Sequence, residues 1–183
     1  MSLSFIKVPE YDLTLSNNNV VKYRPFLIKE EKILLMAVES KDEAEMNNAL
    51  ISIVQACTLS KIDVTRLPVY DFEYLWLNIR GKSVGEQIDL KLKCPDDEKQ
   101  TVDYSLKIED VKPDLNKKFE RKVEFDKDYG VIMKVPTIKH ISNKKTLLDL
   151  SYGLVRDCID QIYNGDEVFE SADLSVKELD EFV

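Results

Sequence analysis

One short segment of this sequence has residue types that could bind a phosphate. Gly81-Lys82-Ser83 resembles the end of a phosphate-binding loop, in which glycine amides wrap the phosphate and a lysine reaches its outer oxygens. The upstream glycine of such a loop would fall at Trp76, and the segment follows a predicted helix rather than a strand. We therefore interpret Gly81 as the end of a helix that turns into a hairpin.

Residues for acid–base or nucleophilic catalysis are sparse. His140 is the only histidine, and we expect it in an exposed loop, where it would have no relay partner. The sequence has no serine-nucleophile elbow, no paired carboxylates in a catalytic context and no cofactor fingerprint. We predict a protein that is not an enzyme, with no catalytic and no cofactor-binding residues.

Metal binding is equally poorly supported. Cys57, Cys94 and Cys158 lack the paired spacing of a zinc site or of a disulfide framework, and we predict that they are reduced core residues. Asp96-Asp97-Glu98 lacks the spaced oxygen ligands of a calcium loop and is better explained as a hairpin turn. We expect no metal-ligating residues.

Composition limits the class of protein further. The chain has 183 residues, 44% of them hydrophobic, which is enough for one domain with a core. A net charge of −8 argues against general affinity for nucleic acid or anionic lipid. We therefore expect no nucleic-acid partner and no membrane partner. No signal peptide and no apolar run long enough to span a membrane are recognisable, so we expect a cytoplasmic protein.

Residues 1–27 are predicted to form a docking arm. The polar cluster Ser16–Asn19 favours a turn, because Asn side chains bond their own backbone and tolerate positive φ. Val20–Leu27 then reads as an extended segment, since Pro25 keeps Arg24 out of the helical region. An arm of this kind needs a surface to pack on.

The aromatic and basic side chains of this arm allow two interpretations. Tyr, Phe and Arg are enriched in interface hot spots, so Tyr23, Arg24 and Phe26 could contact another subunit. They could instead fold back onto the chain's own helices, which is the interpretation that we favour. Trp76 poses the same question, since a tryptophan can belong to a core or to an interface.

Helical periodicity predicts three helices in the first half of the chain. The first, over Lys29–Glu39, contains the run Ile33–Ala37, which is apolar nearly all round, so we expect this helix to be buried. The second begins at Asp42, which we expect to form a capping pair with Glu45. Its apolar stripe comprises Met46, Ala49, Leu50, Ile53, Val54 and Cys57. Pro68 and Gly81 frame the third helix, which has a wide apolar face.

Two hairpins follow in the prediction. Apolar residues alternate with polar ones over 88–94 and 102–108, which predicts an antiparallel hairpin with one solvent-facing side. Val123–Phe125 and Val131–Val135 are predicted to form a second hairpin around Asp126–Gly130.

The end of the chain is predicted to be helical. We expect a fourth helix over Lys144–Tyr163 that stops at Asn164-Gly165. The predicted fold is α+β: helices packed with two antiparallel hairpins and then a C-terminal helix, in a single domain over residues 1–165. Residues 166–183 are acidic and are predicted to be a solvated segment, in which Ser175 and Glu178 form a capping box that opens a short helix.

Three stretches of this sequence carry a family resemblance: Lys22–Ala37, with its Tyr-Arg-Pro-Phe start, Leu67–Glu86 and Gly130–Pro136. Together they resemble the baseplate hub subunit and hub assembly chaperone family of T-even-type contractile-tailed phages. The resemblance covers about residues 22–136. Family members are usually somewhat longer, so a continuation past Val183 stays open.

The resemblance implies a non-enzymatic baseplate hub subunit or hub assembly factor that works by protein–protein binding in tail morphogenesis. It implies other phage tail or baseplate hub proteins as partners, allows a homo-oligomer, and places the protein in the host cell cytoplasm during assembly or in the virion tail baseplate. Candidate partner-binding residues are Tyr23, Arg24, Phe26, Trp76, Arg80 and Lys82. Two alternatives stay open: a phage-encoded enzyme or lysin module of the tail, and a host-encoded α+β adaptor.

Overall fold

A computed structural model of the chain contains helices and small antiparallel sheets, which confirms the predicted α+β class. It describes residues 7–97, 100–113, 120–142 and 149–182. The chain folds into two compact units. Unit 1 comprises Met1–Val64 and Tyr70–Asp114, and unit 2 comprises Thr65–Val69 and Leu115–Val183. The single domain over residues 1–165 stays a prediction.

Unit 1 begins with a small antiparallel hairpin of β1 (Tyr11–Thr14) and β2 (Val20–Tyr23). Asn18 has a φ of 63°, and the Asn17 Oδ1 accepts the backbone N–H of Asn19 at 3.0 Å. These Asn side chains form the turn because they tolerate the left-handed conformation and bond locally. The predicted turn and the extended segment are both confirmed at this position.

Two of the predicted helices follow. Helix α1 spans Ile28–Ser40 and helix α2 spans Glu43–Cys57. Asp42 caps α2, since its Oδ1 accepts the backbone N–H groups of Ala44 and Glu45 at 2.7 and 3.2 Å. The predicted stripe of α2 is the side that packs inward, and it buries Ala49, Ile53, Val54 and Cys57.

The expected burial of α1 is wrong. Only Glu30 and Ala37 of this helix are buried, while most of its aliphatic side chains are exposed. The physical reason lies in the run of consecutive apolar residues over 33–38, which extends around more than one full turn. A helix that packs through one side must leave part of such a run facing solvent.

Helix α3 (Val69–Val84) continues past its predicted end at Gly81. Gly81 lies inside the helix and is buried, and a Cβ there would come within 2.8 Å of the Ile108 Cδ1. The glycine therefore permits close packing of Ile108 rather than ending the helix. Asp71, also buried on α3, accepts hydrogen bonds from the backbone N–H and Oγ of Ser16 at 2.9 and 2.7 Å.

The predicted hairpin after α3 is confirmed as β3 (Gln87–Lys93) paired antiparallel with β4 (Thr101–Lys107). The expectation of one solvent-facing side is wrong, because side chains on both faces of this hairpin are exposed or only half-buried. Its apolar face consists of three cross-strand pairs: Ile88 with Leu106, Leu90 with Tyr104, and Leu92 with Val102. Within the described residues no element covers that face enough to bury it.

Unit 2 contains a four-stranded antiparallel sheet in the order β5-β6-β7-β8. The second predicted hairpin is confirmed as β5 (Lys122–Asp126) and β6 (Tyr129–Met133). Strand β7 (Ile159–Asn164) adds to β6, and β8 (Glu167–Glu170) forms the other edge. The expected hairpin thus forms half of a larger sheet.

The predicted fourth helix is wrong over its second half. A short π-helical segment at Asp149–Gly153 leads into α5 (Leu154–Asp157), and the chain then enters β7. Gly165, with a φ of 62°, lies in the two-residue turn between β7 and β8. An Asn-Gly pair can end a helix or form a hairpin turn, and here the strand pairs on both of its sides. The part of the prediction over 143–148 lies outside the described residues.

Unit 2 also contains two short helices, α4 (Ile138–Ser142) and α6 (Val176–Phe182). The predicted capping box of α6 is confirmed, because the Glu178 Oε2 accepts the N–H of Ser175 at 2.8 Å and the Ser175 Oγ accepts the N–H of Glu178 at 3.3 Å. The acidic segment is not simply solvated, however. Strand β8 belongs to the sheet, and Leu179 packs into its core with Val131, Ile159 and Ile162.

Candidate interaction surface

The guanidinium of Arg24 ties three elements of unit 1 together. Its Nη2 donates to the Glu30 Oε1 of α1 at 2.9 Å and to the Ala56 carbonyl of α2 at 3.1 Å, and its Nη1 donates to the carbonyl of Pro25. The other Glu30 oxygen accepts the N–H of Leu27 at 2.8 Å. Arg24 therefore fixes the end of β2 against the start of α1 and the end of α2.

Burial and hydrogen bonding oppose each other at Glu30. Burial disfavours the charged carboxylate and would raise its pKa, but the hydrogen bonds from Arg24 and from the Leu27 N–H outweigh burial. The pKa of Glu30 therefore lies below its ordinary value. A charged Glu30 with only 3% of its surface exposed is compensated by these partners.

The prediction that the cysteines are reduced core residues is only partly correct. Cys57 and Cys158 are free and buried, whereas Cys94 is only half-buried, so the expectation of a core residue is wrong for Cys94. Burial is the main cause that raises the pKa of the Cys57 thiol to about 11. Because the thiolate is the nucleophilic form, Cys57 is unsuited to covalent chemistry at neutral pH.

Phe26 and Trp76 meet inside unit 1. Their rings stack with centroids 6.1 Å apart and an interplanar angle of 19°. The backbone N–H of Phe26 donates to the Ser83 Oγ at 2.9 Å. Since Trp76, Arg80 and Ser83 are spaced four and three residues apart, they lie on the same side of α3. The segment after β2 is therefore docked along this side of the helix.

Tyr23 and Lys82 are linked through Tyr11. The rings of Tyr11 and Tyr23 lie 5.6 Å apart, and the Lys82 ammonium stands 4.9 Å from the Tyr11 ring centroid, within cation–π range. Lys82 also pairs with Glu86, which lies just past the end of α3. Burial is the largest contribution that raises the pKa of Tyr23.

Arg80 differs from the other five candidate residues. Its Nη1 is buried and finds no hydrogen-bond partner among the described residues. The other five make the intramolecular contacts given above, with Tyr23 buried and Arg24 largely enclosed. The structure thus supports the self-docked interpretation of the arm, while direct contact between these six residues and a binding partner stays a prediction.

Sequence reasoning missed an exposed apolar surface of unit 1, which lies on α1. Ile28 is 83% exposed, Leu35 57% and Met36 61%. Residues seven positions apart lie on one side of a helix, so Ile28 and Leu35 are aligned and Met36 lies beside them. We call these three residues the α1 stripe. The apolar run of α1 is visible in the sequence, but its composition alone favours a place in the core.

A groove lies next to the α1 stripe. Its volume is about 300 Å³, and its lining combines apolar and charged residues: Ala37, Val38, Lys41, Asp42, Glu43, Met46 and Asn47. Val38 is itself exposed and is three positions from Leu35. Exposed apolar patches of this kind are common at protein interaction sites.

The surroundings of His140 and of the acidic side chains bear on catalysis and metal binding. His140 is in helix α4 rather than in an exposed loop; it is half-buried, and its Nδ1 accepts the N–H of Thr137 at 3.2 Å. Over residues 7–97, 100–113, 120–142 and 149–182, no three His, Cys, Asp or Glu side chains are grouped so that they could hold a metal ion. None of the helices in that part of the chain has the length and apolar character needed to cross a membrane.

Comparison with known families decides the class of protein. A sequence profile described as "T4 bacteriophage base plate protein" matches residues 8–183. The chain belongs to this T4 base plate protein family. The match includes both units and extends well beyond the region of about 22–136 that carried the resemblance. Curated proteins and solved structures yield no match.

Membership of the baseplate family has a direct structural consequence. A baseplate protein has a structural role in the phage tail and interacts with other baseplate or tail proteins. The α1 stripe is therefore an exposed apolar surface on a protein that belongs to a multi-protein assembly. An isolated soluble protein rarely leaves such a surface uncovered.

Proposed function

We propose that this base plate protein is a non-enzymatic component of the baseplate hub or a hub assembly factor, and that it acts by binding other baseplate proteins. The observation that best supports the proposal is the α1 stripe of Ile28, Leu35 and Met36. The matching family is one of structural baseplate proteins, which supports a non-enzymatic role. The family favours the phage tail over a host adaptor.

The chemistry of the surface indicates what it binds. The α1 stripe is interrupted by Lys32 and Glu39, so charges of both signs border the apolar side chains. Its partner is therefore a baseplate protein with an apolar surface bordered by mixed charges, rather than a strongly charged one. A side chain of that partner would fill the groove next to Val38 and Met46.

The arm has a supporting role in this proposal. Arg24 and Glu30 hold the first turn of α1 against β2 and α2, and Phe26 is anchored on α3. The start of the α1 stripe is thereby fixed before any partner arrives, which lowers the ordering cost of binding. Arg24 and Phe26 thus contribute chiefly by positioning α1.

A binding experiment tests the role of the stripe. Tagged protein carrying Leu35→Lys and Met36→Lys would be recovered from phage-infected cells, and its co-purifying baseplate proteins compared with those of the parent. We expect fewer partners, because each lysine places a charge in an apolar contact. The matched control is Val176→Lys, which changes an exposed apolar residue on α6, 61% exposed, in the other unit. Equal recovery by all three proteins would contradict the proposal.

A second experiment distinguishes a hub subunit from an assembly factor. Purified virions and infected-cell lysate would be immunoblotted for this chain at matched amounts of a known tail protein. A hub subunit would be retained in the virions at a fixed ratio. An assembly factor would be present in the lysate and depleted from the virions.

A further inference from the structure

The outer edge of β3 is an open strand edge. Among the described residues, β4 is the only strand that pairs with β3, so the other side of β3 presents unpaired backbone groups. Such an edge is a template for another strand. An isolated two-stranded hairpin is also marginally stable in water, so additional strands would stabilise it.

The hydrogen-bond phase determines which residues of β3 face outward. The Glu86 carbonyl accepts the N–H of Ile108, and the N–H of Cys94 donates to the Gln100 carbonyl. Even-numbered residues of β3 therefore direct their backbone groups toward β4. Odd-numbered residues direct theirs to the free edge, and these are Gln87, Asp89, Lys91 and Lys93.

The charges along this edge are complementary to a second copy of themselves. If two β3 strands pair antiparallel about a two-fold axis at Leu90, Asp89 of each copy faces Lys91 of the other. Gln87 then faces Lys93, and the outward backbone groups of all four residues pair in the correct phase. Opposite charges directly across a strand pair stabilise it.

Neighbouring registers are less favourable. An axis at Asp89 would place two Asp89 carboxylates opposite each other, and an axis at Lys91 would do the same with two lysines. Like charges that face each other across strands are destabilising. Lys91 already faces Asp103 of β4 across the hairpin, and the Leu90 register places a second carboxylate, Asp89 of the other copy, on its open side. The charge pattern thus selects one register.

The apolar face adds to the same arrangement. In the Leu90 register, Leu90 faces its own copy and Ile88 faces Leu92. The exposed face of each hairpin, with its three cross-strand apolar pairs, then continues across the axis into a single four-stranded sheet. Lysines at an edge normally deter unrelated strands, so an edge that also carries a matching aspartate discriminates in favour of its own copy.

We propose that this protein self-associates through β3, as a two-fold dimer with the strand order β4-β3-β3-β4 and an axis at Leu90. The occupant of the free edge is a second copy of this chain. This inference rests on the hairpin and its charges and is independent of the proposed function of α1.

Reciprocal charge reversal tests the proposal with the full chain. Asp89→Lys places lysine against Lys91, and Lys91→Asp places aspartate against Asp89, so each variant alone should dimerise roughly tenfold more weakly or worse. Mixed together, the two variants restore both opposite-charge pairs. Analytical ultracentrifugation over a concentration series should therefore show dimers for the parent and for the mixture, and monomers for each single variant.

Each other outcome of that experiment contradicts the proposal. A parent that stays monomeric over the whole series would overturn it. Single variants that dimerise like the parent, or a mixture that stays monomeric although both variants keep the circular dichroism spectrum and melting midpoint of the parent, would exclude this edge. If a charge-reversal variant unfolds, disulfide cross-linking tests instead whether two β3 strands pair in the Leu90 register.

Disulfide cross-linking provides a readout that does not depend on charge. In the Leu90 register, the two Leu90 residues form a non-hydrogen-bonded pair with Cα atoms about 4.5 Å apart, within the range of a disulfide. Leu90→Cys in a Cys94→Ser background should give a covalent dimer on mild oxidation. The matched control is Leu92→Cys in the same background, since its facing residue is Ile88 and it should give little dimer. Equal cross-linking of both would contradict the register.

Discussion

Helices α1 and α2 are neighbours in the chain and are both rich in aliphatic residues, yet they differ in what they bury. In α2 the aliphatic residues form one stripe, and Ile53 and Val54 are almost fully enclosed. In α1 they form a continuous run, and only Ala37 of that run is buried. The comparison shows that the arrangement of apolar residues, not their number, determines how much of a helix its own chain can cover.

The two helices also differ in what their apolar residues contribute to the protein. A periodic stripe can be satisfied by the fold alone, because all of its members point to one side. A continuous run exceeds what one packed side can cover, so part of it stays exposed, and we propose that a partner protein covers it. On this account α2 stabilises unit 1, and α1 connects the protein to the baseplate.

We expect the largest difference in the free energy of unfolding between matched alanine substitutions in α2 and α1. Ile53→Ala should lower the free energy of unfolding by about 2 to 5 kcal/mol, because Ile53 is only 1% exposed and a cavity would remain. Leu35→Ala should change it by no more than about 0.5 kcal/mol. Urea unfolding of both variants measures the difference. Similar losses would mean that α1 is covered as fully as α2.

Removing the Arg24–Glu30 ion pair, which holds the start of α1, should have a somewhat smaller effect on the free energy of unfolding. Arg24→Ala should lower the free energy of unfolding by about 3 kcal/mol, since it leaves the enclosed Glu30 carboxylate without its guanidinium partner. Lys29→Ala is the control, because Lys29 is solvent-exposed and approaches the same carboxylate only at 3.4 Å. If Arg24→Ala instead unfolds like the parent and loses baseplate partners, Arg24 is an interface residue.

The smallest effect that we expect is a dependence on pH of the stability that Glu30 contributes. The folded-state pKa of Glu30 is lower than its ordinary value of 4.5, so ionised Glu30 contributes stability above pH 4.5. That contribution is lost as pH falls through the folded pKa. The parent should therefore be more stable than Glu30→Gln at neutral pH, and the difference should shrink in acid. Thermal melts from pH 7 to pH 3 would show this, and a difference that grows in acid would contradict the assigned pairing.

Sequence periodicity correctly predicted the helices and strands whose residue spacing is compatible with only one kind of secondary structure. The α2 stripe, both hairpins and the Ser175–Glu178 cap were recoverable because spacing and capping residues agree there. Strand β7 was not, because Ile159 and Ile162 also suit a helix face, and Asn164-Gly165 can end either element. Only pairing with both β6 and β8 selects the strand.

The candidate surface was predicted less well than the fold, for a related reason. Tyr23, Arg24 and Phe26 have the residue types of an interface, but their nearest partners are Tyr11, Glu30 and Trp76 of the same chain. Sequence alone cannot tell an internal clamp from an external contact when both use the same side chains. The apolar run of α1 was recognised, but the extent of its coverage depends on tertiary packing.

We propose above all that the α1 stripe connects this protein to other baseplate proteins. The most direct test is to count complete tails by electron microscopy after infection with phage that carry Leu35→Lys and Met36→Lys. We predict a strong loss of complete tails while the variant protein accumulates in soluble form and melts like the parent. Normal tail numbers with a stably folded variant would contradict the claim.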